Sequence, residues 1–117
     1  DLYVPLEQVV VTKKDDQTVE VRYKVINAGM EKVPYPTTQV KIDLTPLNTL
    51  DEKWLSAQEI SPNDGAKLKP GQVIEKTATF KQSSWIPGYY PVEVESNINS
   101  KEFNTLNNKI LGYFILE

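Results

Sequence analysis

The side chains able to do chemistry in this sequence are mostly carboxylates. Acids fall close together at Asp15-Asp16, at Asp51-Glu52, and at Glu93 with Glu95. Two carboxyls on one strand face are in principle the pair that glycoside hydrolysis needs. The simpler reading follows from the alternation of Glu93 and Glu95 with Tyr90, Val92 and Val94, which makes them outward charges on a half-wet strand. Histidine and cysteine are both absent. That removes the usual general base, the thiolate nucleophile and the commonest metal ligand. There is no G-x-S-x-G, and the five glycines are scattered singly rather than gathered into a phosphate-cradling loop. These features point away from an enzyme, and no cofactor is expected.

Oxygen ligands for calcium are a separate possibility. Asn97, Asn99, Glu102, Asn104, Asn107 and Asn108 supply many in one stretch, and Asn63-Asp64 supplies more. Calcium sites are built around several carboxylates, and only Glu102 and Asp64 carry charge here. Asparagine also tolerates turn geometry, so turn chemistry is the expectation and no metal site is assigned.

Aromatic and aliphatic side chains are the better candidates. Trp54, Trp85, Tyr35, Tyr89 and Tyr113 are residues of the kind that line sugar- or peptide-binding surfaces. Tyr90 alternates with Val92 and Val94 and belongs to the core, so Tyr89 faces outward. Tryptophan in a sandwich is usually packed, the favoured reading for Trp54 and for Trp85, which stands just before Pro87-Gly88. The stretch Leu111 to Leu116 is apolar on both faces, more than a half-wet strand requires. Tyr113 and Ile115 should therefore lie under a loop of the same chain or under a second molecule. The candidate interaction surface is Leu111, Tyr113, Ile115, Tyr89 and Trp85, and its expected partner is a protein or a second copy, with a surface polymer or sugar as the alternative.

Strands must position these residues. Leu2 to Thr12 reads as a first strand in which Pro5 cannot donate to a ladder and marks an edge or a break. Thr18 to Asn27 alternates Val19, Val21, Tyr23 and Val25 against Glu20, Arg22 and Lys24. Asn27-Ala-Gly29 closes it, with Gly29 available for a left-handed position. A proline-bracketed excursion spans Glu31 to Pro36, and Thr37 to Leu44 returns as a strand with Val40, Ile42 and Leu44 inward. A short edge strand is expected around Trp54 to Ile60. Pro70-Gly71 and Pro87-Gly88 then launch the strands Gln72 to Phe80 and Tyr89 to Asn97. Lys109 to Leu116 is last, with Ile110, Gly112, Phe114 and Leu116 on one side. The class is all-β: an antiparallel immunoglobulin-like β-sandwich of about seven strands.

At 117 residues the chain, 1–117, is read as a single domain. It is 39% hydrophobic and 25% charged, which suits a globular domain. No run approaches the roughly 18 apolar residues of a membrane span, so no membrane insertion is expected from this segment. A net charge of −3 with a single arginine, Arg22, argues against nucleic acid. The chain opens at Asp1 without Met, the expectation being that a leader or preceding domain has been removed.

Three features carry a family resemblance: the block Val25-Ile-Asn-Ala-Gly29, the turns Leu68-x-Pro-Gly71 and Ile86-Pro-Gly-Tyr-Tyr90, and Asn107-Asn108 before the final strand. Together they resemble the immunoglobulin-like cell-adhesion-related domains of bacterial and archaeal surface proteins. The resemblance runs from Leu2 to Leu116. It departs in the longer Thr45 to Ala66 segment and in lacking an acidic residue just before Asn107, so no metal contact is carried over. It implies a noncatalytic module, extracellular or at the cell surface, mediating protein–protein contact, adhesion or anchoring to a surface layer. The alternative is a small proteinase inhibitor or carbohydrate-binding module on the same sandwich.

Overall fold

The first strand is split. In the computed structural model, which describes residues 2–44, 54–59, 67–96 and 109–117, β1 (Leu2–Tyr3) is separated from β2 (Val10–Lys13) by a 3-10 turn at Leu6–Gln8. Both halves pair with β3 (Thr18–Asn27), through Leu2↔Asn27 and Tyr3↔Ile26 at one end and Val10↔Arg22 to Lys13↔Val19 at the other. Pro5 lies at the break, where its missing N–H leaves no ladder bond unmade.

The other side of β3 pairs with β8 (Val73–Lys81), completing the first sheet. The second sheet has the order β10 (Lys109–Leu116), β9 (Gly88–Glu95), β5 (Thr38–Asp43), β6 (Trp54–Glu59), with every pair antiparallel. A small side pair, β4 (Val33–Pro34) with β7 (Lys67–Leu68), fastens the proline-bracketed excursion to the chain ahead of Pro70. Counting β1 and β2 as one path, the two main sheets hold seven strands among the described residues, in an all-β antiparallel sandwich.

The core is the set of inward positions that the alternation marks. Val19, Val21, Tyr23 and Val25 of β3, Val40 and Ile42 of β5, Ala78 and Phe80 of β8, and Tyr90, Val92 and Val94 of β9 are all buried. Each large aliphatic side chain taken out of water this way stabilises the fold by about 1.5–3 kcal/mol. Leu44, Ile110 and Phe114 are partly buried against the same cluster. Gly112 lies on the inward side of β10 beneath Leu6 and the ring of Phe114. A Cβ there would come within 2.7 Å of Leu6 Cδ1.

Two turn expectations are corrected. The left-handed residue is Gly71, at φ 78°, rather than Gly29. At Gly29 the amide donates to Asn27 Oδ1 (3.0 Å), so a side chain shapes the bend that a left-handed glycine was expected to make. Pro70-Gly71 is a reversal closed by Gln72 N donating to Lys69 O (3.0 Å). Gly88 instead opens β9 directly at φ 153°, and the corner before it is tied by Tyr90 Oη donating to Ile86 O (2.6 Å).

The acidic pair Asp51-Glu52, the turn at Asn63-Asp64 and the asparagine-rich stretch Asn97 to Asn108 lie outside the described residues.

Candidate functional site

The outward positions of β9 and β10 form one continuous surface. Alternation sends Tyr89, Pro91, Glu93 and Glu95 to the outer face of β9, and Lys109, Leu111, Tyr113 and Ile115 to that of β10. The register sets Ile115 across from Tyr89, Tyr113 across from Pro91, Leu111 across from Glu93 and Lys109 across from Glu95. Tyr89 and Tyr113 are then diagonal neighbours, a spacing that aromatic rings can bridge. Four large apolar side chains stand in water here: Tyr113 at 68% exposure, Tyr89 at 60%, Ile115 at 52% and Leu111 at 49%.

Proline explains how this patch ends toward the sheet centre. The ladder between β5 and β9 stops at Ile42↔Val92, one residue short of Pro91, which has no N–H to extend it. Pro91 itself is buried. Along the strands the patch ends in charge. Lys109 Nζ lies 3.6 Å from Glu93 Oε1, and Glu93 also faces Lys41 across the other ladder. The surface is therefore an apolar field with a charged margin.

The expected carboxylate pair sits in that margin. Glu93 and Glu95 each stand in register with a lysine, Lys41 and Lys109 respectively. That is the arrangement of a charged strand face, where opposite charges across a ladder support each other. Asp15 accepts the Gln17 amide (2.8 Å) in a local turn, and that hydrogen bond holds its carboxyl below the usual range. Among the described residues no three acids come together as a metal site.

The other aromatic candidates go elsewhere. Trp85, included in the expected surface, is buried at 3% exposure. Its ring meets Tyr90 edge-on with centroids 5.6 Å apart, and its Nε1 donates to Gln17 O (3.0 Å). It closes one end of the sandwich, as the packing reading held. Tyr35 is half-buried, its hydroxyl accepting from Gln72 Nε2 (3.3 Å). Trp54 is half-buried on β6, at the far edge of the sheet from β10. Of the five aromatics, Tyr89 and Tyr113 alone share this face. No loop among the described residues covers Tyr113 or Ile115.

Sequence reasoning missed one residue of consequence. Asn27, fully buried, donates from Nδ2 to Glu31 O (2.8 Å) and Leu68 O (2.9 Å), while its backbone N–H donates to Gln72 O (3.1 Å). The signal available was that both the Asn27-Ala-Gly29 and Leu68-x-Pro-Gly71 blocks are turns. Nothing local says that they meet.

No family model matches the chain, and no curated protein matches it. Solved structures with a similar fold include β-glucosidase 3B from Thermotoga neapolitana in complex with glucose, at 19% identity and a TM-score of 0.60. A GH3 β-glucosidase from Bifidobacterium adolescentis follows at 17% identity and 0.58. The likeness covers 98% and 99% of this chain but only 16% and 17% of those enzymes. At that identity it establishes a shared fold: this sandwich is similar to a minor part of much larger glucosidase chains.

Proposed function

We propose that this chain is a noncatalytic sandwich module that makes protein–protein contacts through the outer face of β9 and β10. The observation that carries this reading is the exposed group Tyr89, Leu111, Tyr113 and Ile115, aligned by one register and bordered by paired charges. Exposed apolar groups that adjoin one another mark contact surfaces, whereas single ones need no explanation. Two further points support it. The sequence resembles cell-adhesion-related domains of surface proteins, and the structural relatives carry this fold as a small part of a longer chain. The module serves as an adhesion, spacer or anchoring domain of a secreted or surface protein.

A photocrosslinking residue placed at Tyr113, compared with one at exposed Thr77 on β8, tests this. Protein crosslinks confined to position 113 are expected. Equal yields at both positions would sink the reading. A second reading, a carbohydrate-binding module, draws on the exposed pair Tyr89 and Tyr113. Calorimetric titration with soluble β-glucan separates the two: heat of binding that disappears in Tyr113→Ala favours the sugar.

A further inference from the structure

We propose that β10 pairs edge to edge with β10 of a second copy, antiparallel and centred on Tyr113. This rests on the contact reading above and adds a second copy of the chain at the edge that adjoins that face.

A sandwich leaves four sheet edges, and unpaired edges are templates for another strand unless something blunts them. Three edges here are short or blunted. The β1/β2 edge is broken by Pro5 and the 3-10 turn. The β8 edge carries an inward-pointing lysine, Lys76, whose Nζ donates to Pro36 O (3.0 Å), and inward charge is a recognised guard against edge pairing. The β6 edge is six residues long and includes the polar Ser56. The β10 edge is eight residues long, and Ile110 to Leu116 contains neither charge nor proline. Among the described residues its ladder is with β9 alone, while β2 and the 3-10 turn at Leu6–Gln8 pack near it from the other sheet without pairing.

The residues of β10 are self-complementary in one register. With Tyr113 opposite Tyr113 of the second copy, Leu111 faces Ile115 and Lys109 faces Glu117, and symmetry repeats each pair. On the inner side Gly112 faces Phe114, and Ile110 faces Leu116. Moving the centre to Gly112 sets Lys109 across from Ile115 and loses both charge pairs. Slipping by one residue turns the outer face of one copy to the inner side of the other. The chosen register alone matches charge with charge and apolar with apolar, and it makes an isologous two-fold interface. It also doubles the exposed apolar field, joining two copies of Leu111, Tyr113 and Ile115 into one surface.

Sedimentation velocity across a concentration range, with charge-reversed variants, decides it. Wild type should move from monomer to dimer as concentration rises. Lys109→Glu and Glu117→Lys should each weaken the homodimer roughly tenfold, since each turns two attractive cross-strand pairs repulsive. Mixing the two variants should restore dimers, because every terminal pair is then opposite in charge. Both positions are exposed, so unchanged melting curves confirm that the variants fold. A wild type that stays monomeric, or a mixture no better than either variant alone, overturns the proposal. A monomer whose Tyr113 position still crosslinks to a different polypeptide removes the second copy and leaves the contact reading standing. No crosslinks at that position remove both.

Discussion

The Asn27 carbonyl accepts a hydrogen bond from the Gly71 amide at 2.7 Å, and so joins the turn that ends β3 to the turn that begins β8. With its side-chain amide satisfied by Glu31 O, Leu68 O and Gly29 N, one buried residue holds three chain segments at the same end of the sandwich.

Asn27→Ala should therefore be among the most damaging single changes. It strands two carbonyls and one amide, and an orphaned buried polar group costs about 1–3 kcal/mol. A loss of about 3 kcal/mol is expected, lowering the melting temperature by roughly 10 °C. Urea denaturation measures it, and a loss under about 1 kcal/mol would mean that solvent replaces the side chain.

Gly71 and Gly112 should respond to alanine for different reasons. Nothing lies within 4 Å of a Cβ on Gly71, but its φ of 78° is costly for any other residue, about 1–2 kcal/mol. At Gly112 the obstacle is space: 2.7 Å to Leu6 Cδ1, an exposed side chain that can swing aside, and 2.9 Å to Cε2 of the Phe114 ring. Gly71→Ala is expected to cost more than Gly112→Ala. Adding Leu6→Ala should relieve the second in part, the Phe114 ring still standing in the way, and leave the first unchanged.

Trp85→Phe removes the donor to Gln17 O while keeping an aromatic ring beside Tyr90. A loss of about 0.5–1.5 kcal/mol is expected, that of one hydrogen bond, because the Gln82 amide still donates to the same carbonyl (3.0 Å). The blue-shifted part of the tryptophan fluorescence, which arises from the buried ring, should disappear with it.

Alkali should loosen the same corner. Burial raises the Tyr90 hydroxyl above its ordinary 10.0, against a smaller opposing effect of the hydrogen bond to Ile86 O. The group is neutral in the fold at a pH where the unfolded chain already ionises it. Its contribution is therefore complete below pH 10 and is lost as pH rises through the higher folded value. Stability measured from pH 8 upward should fall less steeply in Tyr90→Phe than in wild type.

Tyr113→Glu places a charge in water at an exposed position, so the melting temperature should stay within about 2 °C of wild type. Association should fall sharply. A large loss of stability would show that Tyr113 supports the fold itself.

The strands were readable wherever one face is apolar and the other polar. Thr18 to Asn27 lies where alternation sets it, Lys109 to Leu116 follows the apolar run itself, the first strand is broken between Tyr3 and Val10, and the other long strands shift by a residue or two at their ends. The two-residue strands β4 and β7 were not readable, because a period needs several residues to express itself. The meeting of Asn27 with Leu68 and Gly71 is a tertiary event between two turns, and each turn sequence is complete without the other. The surface was half legible. Alternation placed Leu111, Tyr113 and Ile115 on the outer face, but not whether anything covered them. It was silent on Trp85, which lies in a connection without a period.

The divided first strand has a mechanical consequence. Tension entering at Leu2 reaches β1, held by two residue pairs, before it reaches β2, because the 3-10 turn in the Val4 to Val9 segment between them must first be drawn straight. The domain should therefore yield in stages under load. Leu2 and Val4 peel out of the core first, and the remaining strands stay closed until that turn is straightened. A strand of the same length without the break would share the load along its whole ladder and give way at once. Pro5 thus sets the place at which one end of the sandwich should lengthen before the rest opens.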